Sequence, residues 1–498
     1  MKNSRERASI IIIGCGPHAR RIYLPAIKKL MENLSLQLTL VIDLKSKESL
    51  VRAVVVEQWK MESEMWFIDP FDEIMPEELD HKLSSFVLEK GVTGVIIATE
   101  PLVHRTYAEW ALRNQLNVLI DKPISARTDS TTKISSADGI MEDYHLLFEQ
   151  YQKLQQKKQT VFIVNSQRRY HSGFQFVEQQ LKEIGKRTNC PITFIQSYHS
   201  DGQWRFPSEI VTQDYHPYCL GYGKASHSGY HIFDTLYRLY KSAGIQNKIA
   251  DSMEIVSSFV QPNGFIKQFS ESDYVSLFGD RYNAVKQWND DQLQGIYQDY
   301  GEIDLSAVVT LLKDEEAIAN LSINLIHNGY ACRTWLEPGE DLYKGNGRVK
   351  HENYNIQQGP FQNIQIHSYQ ATDKHDELNG LEDSLGGKNH FDIYVFRNPL
   401  VDGTSGSPKV YKLTEVFSGE EMSTQSMLVM EHAKHQVVEE FVEYLLGKKE
   451  KSSLRSQIED HIVPVQLMSG IYRSHILRRN KSPCVVNSDF GFAADRAP

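Results

Sequence analysis

The stretch "IIIIGCGPHARRIYLPAI", residues 10 to 27, decides the fold expected of this chain. Its four isoleucines predict a buried strand, and a segment of helical length and spacing follows the glycines. In Gly14-x-Gly16-x-x-Ala19 the first glycine permits a tight turn, the second lets a diphosphate approach the backbone, and the small third residue lets the helix pack on the strand. Pro17 suits the first helical turn, whose N–H groups point at an anion. The spacing predicts a dinucleotide-binding turn; an ordinary strand-to-helix connection is the plainer alternative.

An acidic residue at the end of the second predicted strand supports the same interpretation. In "LTLVID" Asp43 closes the strand, where a carboxylate can accept both ribose hydroxyls of the adenosine half of NAD. Because a carboxylate repels a 2′-phosphate, Asp43 favours NAD over NADP. Lys45 and Lys47 follow Asp43 directly, and a lysine could bind the 2′-phosphate of NADP, so NADP remains an alternative cofactor. The plainer interpretation is that these lysines belong to an ordinary solvated loop.

Strand and helix patterns alternate over the first third of the chain. The predicted strands are 9–13, 38–42, 94–98, 117–120 and one in "TVFIVN", and the predicted helices are 17–33, 103–114 and 139–157. Strands separated by segments of helical length are typical of βαβ units, and apolar runs without alternation are typical of strands covered on both faces. These patterns predict an α/β amino-terminal domain over residues 1–165, a Rossmann domain with a parallel sheet.

The pattern changes after that boundary. Segments of alternating hydrophobicity follow one another with few helices between them, which predicts an α+β domain with a large, mostly antiparallel sheet over residues 166–480. Within this domain we expect an insertion at 262–300 and two closing helices, at 430–446 and 456–478. A short tail, 481–498, follows the domain.

Charge and hydropathy exclude several classes of protein. The chain has 54 basic and 64 acidic residues, a net charge of −10, with both signs scattered, so nothing indicates a nucleic-acid-binding surface. No apolar stretch approaches the roughly 20 residues that span a bilayer. After "MKNSRERAS" too few apolar residues follow for a signal peptide. We expect a small-molecule partner, with neither nucleic acid nor membrane.

Cysteine usage indicates a reducing compartment. The five cysteines are an odd number, far apart and without a Cys-x-x-Cys pair, so they form neither a disulfide framework nor a zinc knuckle: Cys15, Cys190, Cys219, Cys332 and Cys484. We therefore expect a cytoplasmic protein.

Four stretches have the order and spacing of known motifs: "GCGPHARRIYLPAI", "VIIATEPLVH", "VLIDKPIS" and "GKASHSGYHIFDTL". Together they resemble the Gfo/Idh/MocA oxidoreductases, named for glucose–fructose oxidoreductase and inositol dehydrogenase. The third is similar to that family's Glu-Lys-Pro signature with aspartate first, and the fourth to Asp-x-Gly-x-His-x-x-Asp. The chain departs from the pattern where the family has histidine, proline, asparagine and aspartate, at Tyr23, Glu100, Pro101 and His227.

The resemblance implies a Rossmann domain followed by an open-faced antiparallel sheet, often used to assemble dimers or tetramers, with residues 126–140 and 400–425 as extra material. It implies NAD or NADP as the cofactor and a carbohydrate-like substrate. The residues that the glycine turn and the matching motifs assign to the cofactor are Gly14, Gly16, Pro17, His18, Ala19, Asp43, Thr99, His104, Asp121 and Lys122.

Oxidation of a secondary alcohol needs a group of suitable pKa within hydrogen-bond reach of the hydroxyl. Lys122 follows a strand at the carboxyl edge of the predicted sheet, where open α/β folds bind ligands, and its charge can stabilise a developing alkoxide. The resemblance implies that Lys122 touches nicotinamide ribose and substrate, and that His231 is the acid/base. His227 replaces the aspartate that orients this histidine, and it is expected to take part in catalysis by orienting both the substrate and His231. Asp234 is expected to bind substrate.

Plainer interpretations of the same residues stay open. His227, His231 and Asp234 have the spacing of one helix face, which also suits ordinary buried histidines or, less favourably, a metal site. No metal is expected. Arg168 could contact the substrate, although a pair such as Arg168 and Arg169 more often makes structural ion pairs.

These observations predict an NAD(P)-dependent oxidoreductase that acts on a secondary alcohol of a sugar, cyclitol or sugar derivative, as a homodimer or homotetramer. Two alternatives remain. One is a non-catalytic NAD(P)-binding regulator on the same scaffold, which the altered motifs favour. The other is a glycosidase that uses NAD for transient oxidation.

Overall fold

The computed structural model describes residues 7–333, 347–372, 383–403, 408–416 and 428–491. Parts of the extra segment expected at 400–425, and residues 492–498 of the predicted tail, lie outside the described residues. Contacts divide the chain into two compact units, and each is described by itself.

The first unit contains Met1–Ala126, Ile140–His171 and Val429–Ile462. Its sheet has six described strands, all parallel, in the order β3-β2-β1-β4-β5-β6. The strands are β1 (Ala8–Ile13), β2 (Leu36–Leu44), β3 (Glu64–Ile68), β4 (Gly94–Ile97), β5 (Asn117–Ile120) and β6 (Phe162–Val164). This order is that of a Rossmann sheet, and it confirms the predicted α/β domain.

The helices of this unit begin with a departure from the prediction. The helix expected at 17–33 begins at Pro17 but contains a π-helical turn, Ala19–Tyr23, before the longer regular α-helix. The α-helices are α1 (Leu24–Asn33), α2 (Glu48–Arg52), α3 (Glu77–Lys90), α4 (His104–Arg113), α5 (Ile134–Gln155, whose first residues group with the second unit) and α14 (Val429–Leu445).

The core of the first unit includes a helix from near the carboxyl terminus. Val437 and Phe441 of α14 are fully buried in one cluster with Ile10 and Ile12 of β1. A Cβ on Gly94 of β4 would lie 2.9 Å from the Phe441 ring, so sheet and helix are in close contact. The units are therefore discontinuous, whereas the predicted boundaries, 1–165 and 166–480, assumed that the chain leaves the first domain once.

The second unit contains Arg127–Gly139, Ser172–Leu428 and Val463–Pro498. Nine described strands form its sheet, in the order β14-β13-β12-β11-β7-β10-β9-β8-β15. They are β7 (Phe194–Ser200), β8 (Ser252–Val260), β9 (Asp304–Lys313), β10 (Glu316–Ile326), β11 (Arg348–Gln358), β12 (Gln362–Thr372), β13 (Asp392–Arg397), β14 (Lys409–Tyr411) and β15 (Val486–Asp489). Only β7 and β10 pair in parallel among these, which confirms the mostly antiparallel α+β domain.

Helices cover one face of this sheet and build the insertion. The predicted insertion at 262–300 contains four short helices, and the predicted tail contributes β15, which pairs with β8. The α-helices are α6 (Ser172–Thr188), α7 (Pro207–Val211), α8 (Tyr230–Lys241), α9 (Pro262–Gln268), α10 (Glu271–Phe278), α11 (Asp280–Val285), α12 (Asp290–Ile296), α13 (Pro399–Asp402) and α15 (Ile462–Arg479). Within the described ranges no helix has the length and hydropathy needed to span a bilayer.

Candidate functional site

The glycine turn lies between β1 and the helix, as the spacing predicted. Gly14 has φ of +90°, and a Cβ there would stand 2.5 Å from the carbonyl oxygen of Ala98. A Cβ on Gly16 would meet no atom within 4 Å. The Arg20 N–H donates to the Gly16 carbonyl at 3.0 Å, so the helix begins directly after this residue. Gly14 is therefore required by the fold, whereas Gly16 leaves open space beside the backbone.

Asp43 is fixed at the end of β2, next to this turn. Its carboxylate accepts the N–H groups of Cys15 at 2.8 Å and Leu44 at 2.7 Å. Each carboxylate oxygen keeps further acceptor capacity for a hydroxyl. Lys45, one of the two lysines that kept NADP open, forms an exposed ion pair with Asp69 at 2.6 Å.

Four residues assigned to the cofactor lie at the carboxyl ends of β4 and β5. His104 is fully buried, with Nδ1 2.8 Å from the Pro123 carbonyl and Nε2 3.1 Å from the Thr99 carbonyl. It therefore ties these two strand ends together, beside Asp121 and Lys122. The Lys122 N–H donates to Asp121 Oδ1 at 2.9 Å.

Asn165, after β6, joins three of the residues around the turn. Its Nδ2 lies 2.5 Å from Tyr23 Oη, 3.2 Å from Asp121 Oδ1 and 3.5 Å from His18 Nε2. Desolvation lowers the pKa of His18 to about 3, so this ring is neutral near pH 7. Although burial opposes it, the charge of the nearby Lys122 lowers the pKa of Asp121. Asp121 is thus an anion beside Lys122.

Sequence reasoning missed Asn165 and also Lys434 on α14. Desolvation, and then the charge of Arg21, lower the pKa of Lys434 to about 7, and Asp121 and Lys122 are within its electrostatic range. No sequence pattern connects Lys434 to Lys122, because α14 joins this unit from more than three hundred residues downstream.

The two arginines after β6 were expected either to contact the substrate or to form structural ion pairs. Arg169 is buried, and its guanidinium donates to the Arg455 carbonyl at 2.8 Å and to Asp460 Oδ2 at 3.2 Å, as a structural ion pair would. Arg168 is also buried, and its contact with substrate stays a prediction.

In the second unit, the predicted helix with two histidines begins as a π-helical turn. His227 lies in Ala225–Gly229, and α8 follows with His231 and Asp234. Their side chains are 7%, 9% and 0% exposed. Because Asp234 has no exposed surface, its contact with a substrate stays a prediction.

Aromatic rings surround His227. The His216 ring stacks on it with centroids 4.6 Å apart, and Tyr218 and Tyr222 approach its edge or face at 5.3 Å and 5.6 Å. His216 itself has φ of +54°, a conformation that is uncommon for a side chain of this size. The ring of His227 is therefore held in a packed aromatic setting.

The same unit contains a buried charge cluster that the sequence analysis did not predict. Asp201 binds Lys224 Nζ and lies 3.4 Å from both His327 Nδ1 and Arg348 Nη2. Although burial opposes it, the Lys224 charge holds the pKa of Asp201 well below its usual range. Burial lowers the pKa of His327 to about 4, so its Nδ1–H donates to Asp201 in the neutral ring.

The parallel pairing of β7 and β10 explains this cluster. Parallel strands end at the same edge of a sheet, so Asp201, after β7, meets His327, after β10. The sequence showed polar residues after both strands but not that the strands pair in parallel, because a mostly antiparallel sheet does not say which strands are the exception. Among the described residues, no group of three or more histidine, cysteine, aspartate or glutamate side chains is arranged to hold a metal ion.

Residues 8–137 match the sequence model of the Gfo/Idh/MocA oxidoreductases, described as an NAD-binding Rossmann fold. Over these residues the chain is similar to the Gfo/Idh/MocA family. The match confirms the resemblance and NAD(P) as the cofactor. The geometry of the Gfo/Idh/MocA turn fits that cofactor, because Gly16 leaves room for a diphosphate and Asp43 presents a fixed carboxylate.

Solved structures of similar fold cover nearly the whole chain. WlbA dehydrogenase from Bordetella pertussis, solved with NADH and UDP-GlcNAcA, has a TM-score of 0.56 at 13% identity, over 98% of this chain and 99% of its own. Aldose–aldose oxidoreductase from Caulobacter crescentus, solved with glycerol, has a TM-score of 0.53 at 12% identity, over 97% of this chain and 99% of its own. The transcriptional regulator Gal80p from Kluyveromyces lactis has a TM-score of 0.53 at 14% identity, over 98% of this chain and 92% of its own.

At these identities the likeness shows the fold alone. No protein of curated function matches the sequence significantly.

Proposed function

We propose that this protein is an NAD(P)-dependent oxidoreductase that transfers a hydride between the cofactor and a secondary alcohol of a sugar, cyclitol or sugar derivative. The observation that carries the proposal is the glycine turn, with open space beside Gly16 and Asp43 fixed next to it. NAD(P), when bound, supplies the hydride acceptor or donor. The residues of the chain bind the cofactor and transfer the proton of the alcohol.

In the first unit, backbone N–H groups after Gly16 bind the diphosphate, and Asp43 binds the ribose of the adenosine half. Thr99, Asp121 and Lys122 stand at the strand ends that His104 holds together. Lys122 binds the substrate oxygen and stabilises the negative charge that develops as its proton leaves.

In the second unit, His231 accepts the alcohol proton or returns it, and His227 hydrogen-bonds a neighbouring hydroxyl. The stacked His216 and the edge of Tyr218 restrict the rotation of His227, so the ring is oriented before substrate arrives. Arg168 of the first unit and Asp234 of the second are each proposed to contact the substrate. We also infer a homodimer or homotetramer in the cytoplasm. The five cysteines, all free thiols, fit a reducing compartment.

NAD is the preferred form of the cofactor. The carboxylate of Asp43 is held in place by two N–H groups, so it cannot turn away from a 2′-phosphate. Lys45 is drawn to Asp69, which leaves less positive charge for that phosphate.

The experiment that tests this function is an absorbance assay for reduced nicotinamide with NAD, NADP and a panel of polyols and sugars. We expect turnover with at least one secondary alcohol and a loss of about 10² to 10⁴ in kcat for Lys122→Ala. The matched control is Lys153→Ala, an exposed lysine of α5, which should keep the wild-type rate. No turnover with any compound, or full activity of Lys122→Ala, would contradict the proposal.

A regulator that binds NAD(P) without catalysis is the second candidate. His227 favours it, since a histidine cannot supply the fixed negative charge of the aspartate found there in the family. Binding of NAD without turnover, together with an unchanged affinity in Lys122→Ala, would identify this function.

A further inference from the structure

A carboxyl group outside the predicted site contacts the helical segment that carries both histidines. Glu302 precedes β9 and has no exposed surface. Its Oε1 accepts the Ala225 N–H at 2.6 Å and the Tyr472 hydroxyl at 3.1 Å. Its backbone carbonyl accepts the Lys224 N–H at 2.9 Å. Glu302 thus holds two successive residues at the point where the π-helical turn begins.

The surrounding packing leaves this segment little freedom. A Cβ on Gly223 would lie 2.1 Å from the Glu302 carbonyl oxygen, so the two backbones are in direct contact. The Tyr472 hydroxyl lies 2.9 Å from Ser226 Oγ. Since Tyr472 has one proton and donates it to the ionised Glu302, Ser226 donates to Tyr472. One carboxylate therefore orders a chain of hydrogen bonds that ends on the helical segment itself.

We propose that Glu302 is a positioning residue whose ionised carboxylate fixes the first turn of the helical segment that carries His227 and His231. An acceptor at this end also satisfies an N–H group that has no partner within the helix, and its charge favours the helix dipole. The consequence for substrate binding rests on the proposed function of the two histidines. The contact itself does not.

The protonation state of Glu302 controls this contact near neutral pH. Burial raises the pKa of Glu302 to about 7, and its hydrogen bonds with Ala225 and Tyr472 lower it only in part. The titratable groups in electrostatic contact with it are the phenols of Tyr472 and Tyr218, whose pKa values burial raises well above their usual range. Both stay neutral while Glu302 titrates. Protonation then weakens the acceptor on which Ala225 depends.

The test follows the imidazole signals of His227 and His231 by NMR as the pH rises from 5 to 9, in full-length protein without cofactor. The signals are assigned with single His→Gln variants. We expect the signals of both histidines to change with a midpoint equal to the pKa of Glu302. That pKa is measured independently from the infrared band of the protonated carboxyl, in the difference spectrum of wild type minus Glu302→Gln. The variant keeps an acceptor oxygen for Ala225 and should lose this transition.

The matched control is Glu440→Gln, which removes a buried carboxyl of the first unit and should keep the transition. If Glu302→Gln fails to fold, Tyr472→Phe serves instead. It removes one donor to the ionised carboxylate, so the transition should move to higher pH. Identical histidine titrations in wild type and Glu302→Gln, or an unmoved midpoint in Tyr472→Phe, would overturn the proposal. Because no cofactor or substrate is used, neither result depends on whether the protein turns over an alcohol.

Discussion

Two glycines two residues apart have different physical tasks in this protein. Gly14 adopts a left-handed conformation against the backbone of Ala98, so the fold requires it with or without a ligand. Gly16 has no such constraint, and its missing side chain matters only to something that occupies the space beside it. The motif therefore has one glycine that the fold requires and one whose proposed role is to leave room for a diphosphate, and substitutions separate them.

Gly14→Ala should destabilise the protein, whereas Gly16→Ala should not. The first variant forces a Cβ to within 2.5 Å of a carbonyl oxygen at positive φ, which we expect to cost about 1 to 3 kcal/mol. Thermal unfolding of both variants beside wild type measures the difference. Equal melting temperatures for Gly14→Ala and wild type would contradict the assigned geometry.

Asp43→Asn should change the choice of cofactor. Removing the charge removes the repulsion of a 2′-phosphate and weakens the hydrogen bonds to ribose hydroxyls, by about 1.5 to 3 kcal/mol for bonds to a charged group. We expect NAD affinity to fall by about tenfold or more and the ratio of NAD to NADP affinity to move towards one. Titrations with both cofactors measure this ratio. A ratio that stays at its wild-type value would show that Asp43 does not set the preference.

The sequence could predict where a residue lies when its position depends on local structure. Gly14, Gly16 and Asp43 lie at the ends of two strands, and a strand-turn-helix pattern places such residues without knowledge of the rest of the fold. It failed at Asn165 and Glu302, because their partners are distant in the chain and a single Asn or Glu has no distinguishing pattern.

Among the secondary-structure elements, the positions of the main strands and helices were predictable. The π-helical turns within the helices and the pairing of the strands were not. Hydrophobic runs located β1, β2, β4 and β5 to within about two residues. The π-helical turns at Ala19–Tyr23 and Ala225–Gly229 have no hydrophobic signature, since an extra residue in a turn changes the hydrogen bonds and leaves the composition unchanged.

Helix α14 should contribute strongly to the stability of the Rossmann unit. Phe441 is fully buried against Gly94, in one cluster with Ile10 and Ile12 of β1, so Phe441→Ala should cost about 3 to 5 kcal/mol. Glu439→Ala, an exposed position on the same helix, is the control and should change stability by about 0.5 kcal/mol or less. The two variants are compared by denaturant unfolding, with NAD binding as the report on the Rossmann unit. Equal stability of the variants would place α14 outside that core.

At the scale of the whole molecule, the fold class followed from the sequence but the division of the chain did not. Alternating and continuous apolar runs distinguish the two kinds of sheet, because each sheet is covered differently. The return of residues 429–462 to the first unit depends on long-range packing. An amphipathic pattern predicts a helix but does not indicate which unit the helix packs against. A boundary drawn from composition therefore misses it.

Buried Glu302 should make stability depend on pH. Its pKa is about 7 in the folded chain against 4.5 for an ordinary glutamate, so its contribution to stability is fully present below pH 4.5 and is lost as the pH rises through 7. Relative to wild type, Glu302→Gln should therefore gain up to about 3 kcal/mol between pH 5 and pH 8. Denaturant unfolding of both proteins at these pH values measures the gain. A constant difference between them would contradict the assigned pKa.

We expect the turn at Gly14 and Gly16 to hold the diphosphate of NAD(P). Calorimetric titration of NAD and NADP into wild type and Gly16→Val tests this binding, because the valine fills the space beside the turn without strain in the backbone. We expect saturable binding of one dinucleotide per wild-type chain and its loss in Gly16→Val, with unfolding unchanged. Wild-type protein that binds neither dinucleotide, or a valine variant that binds as tightly as wild type, would contradict it.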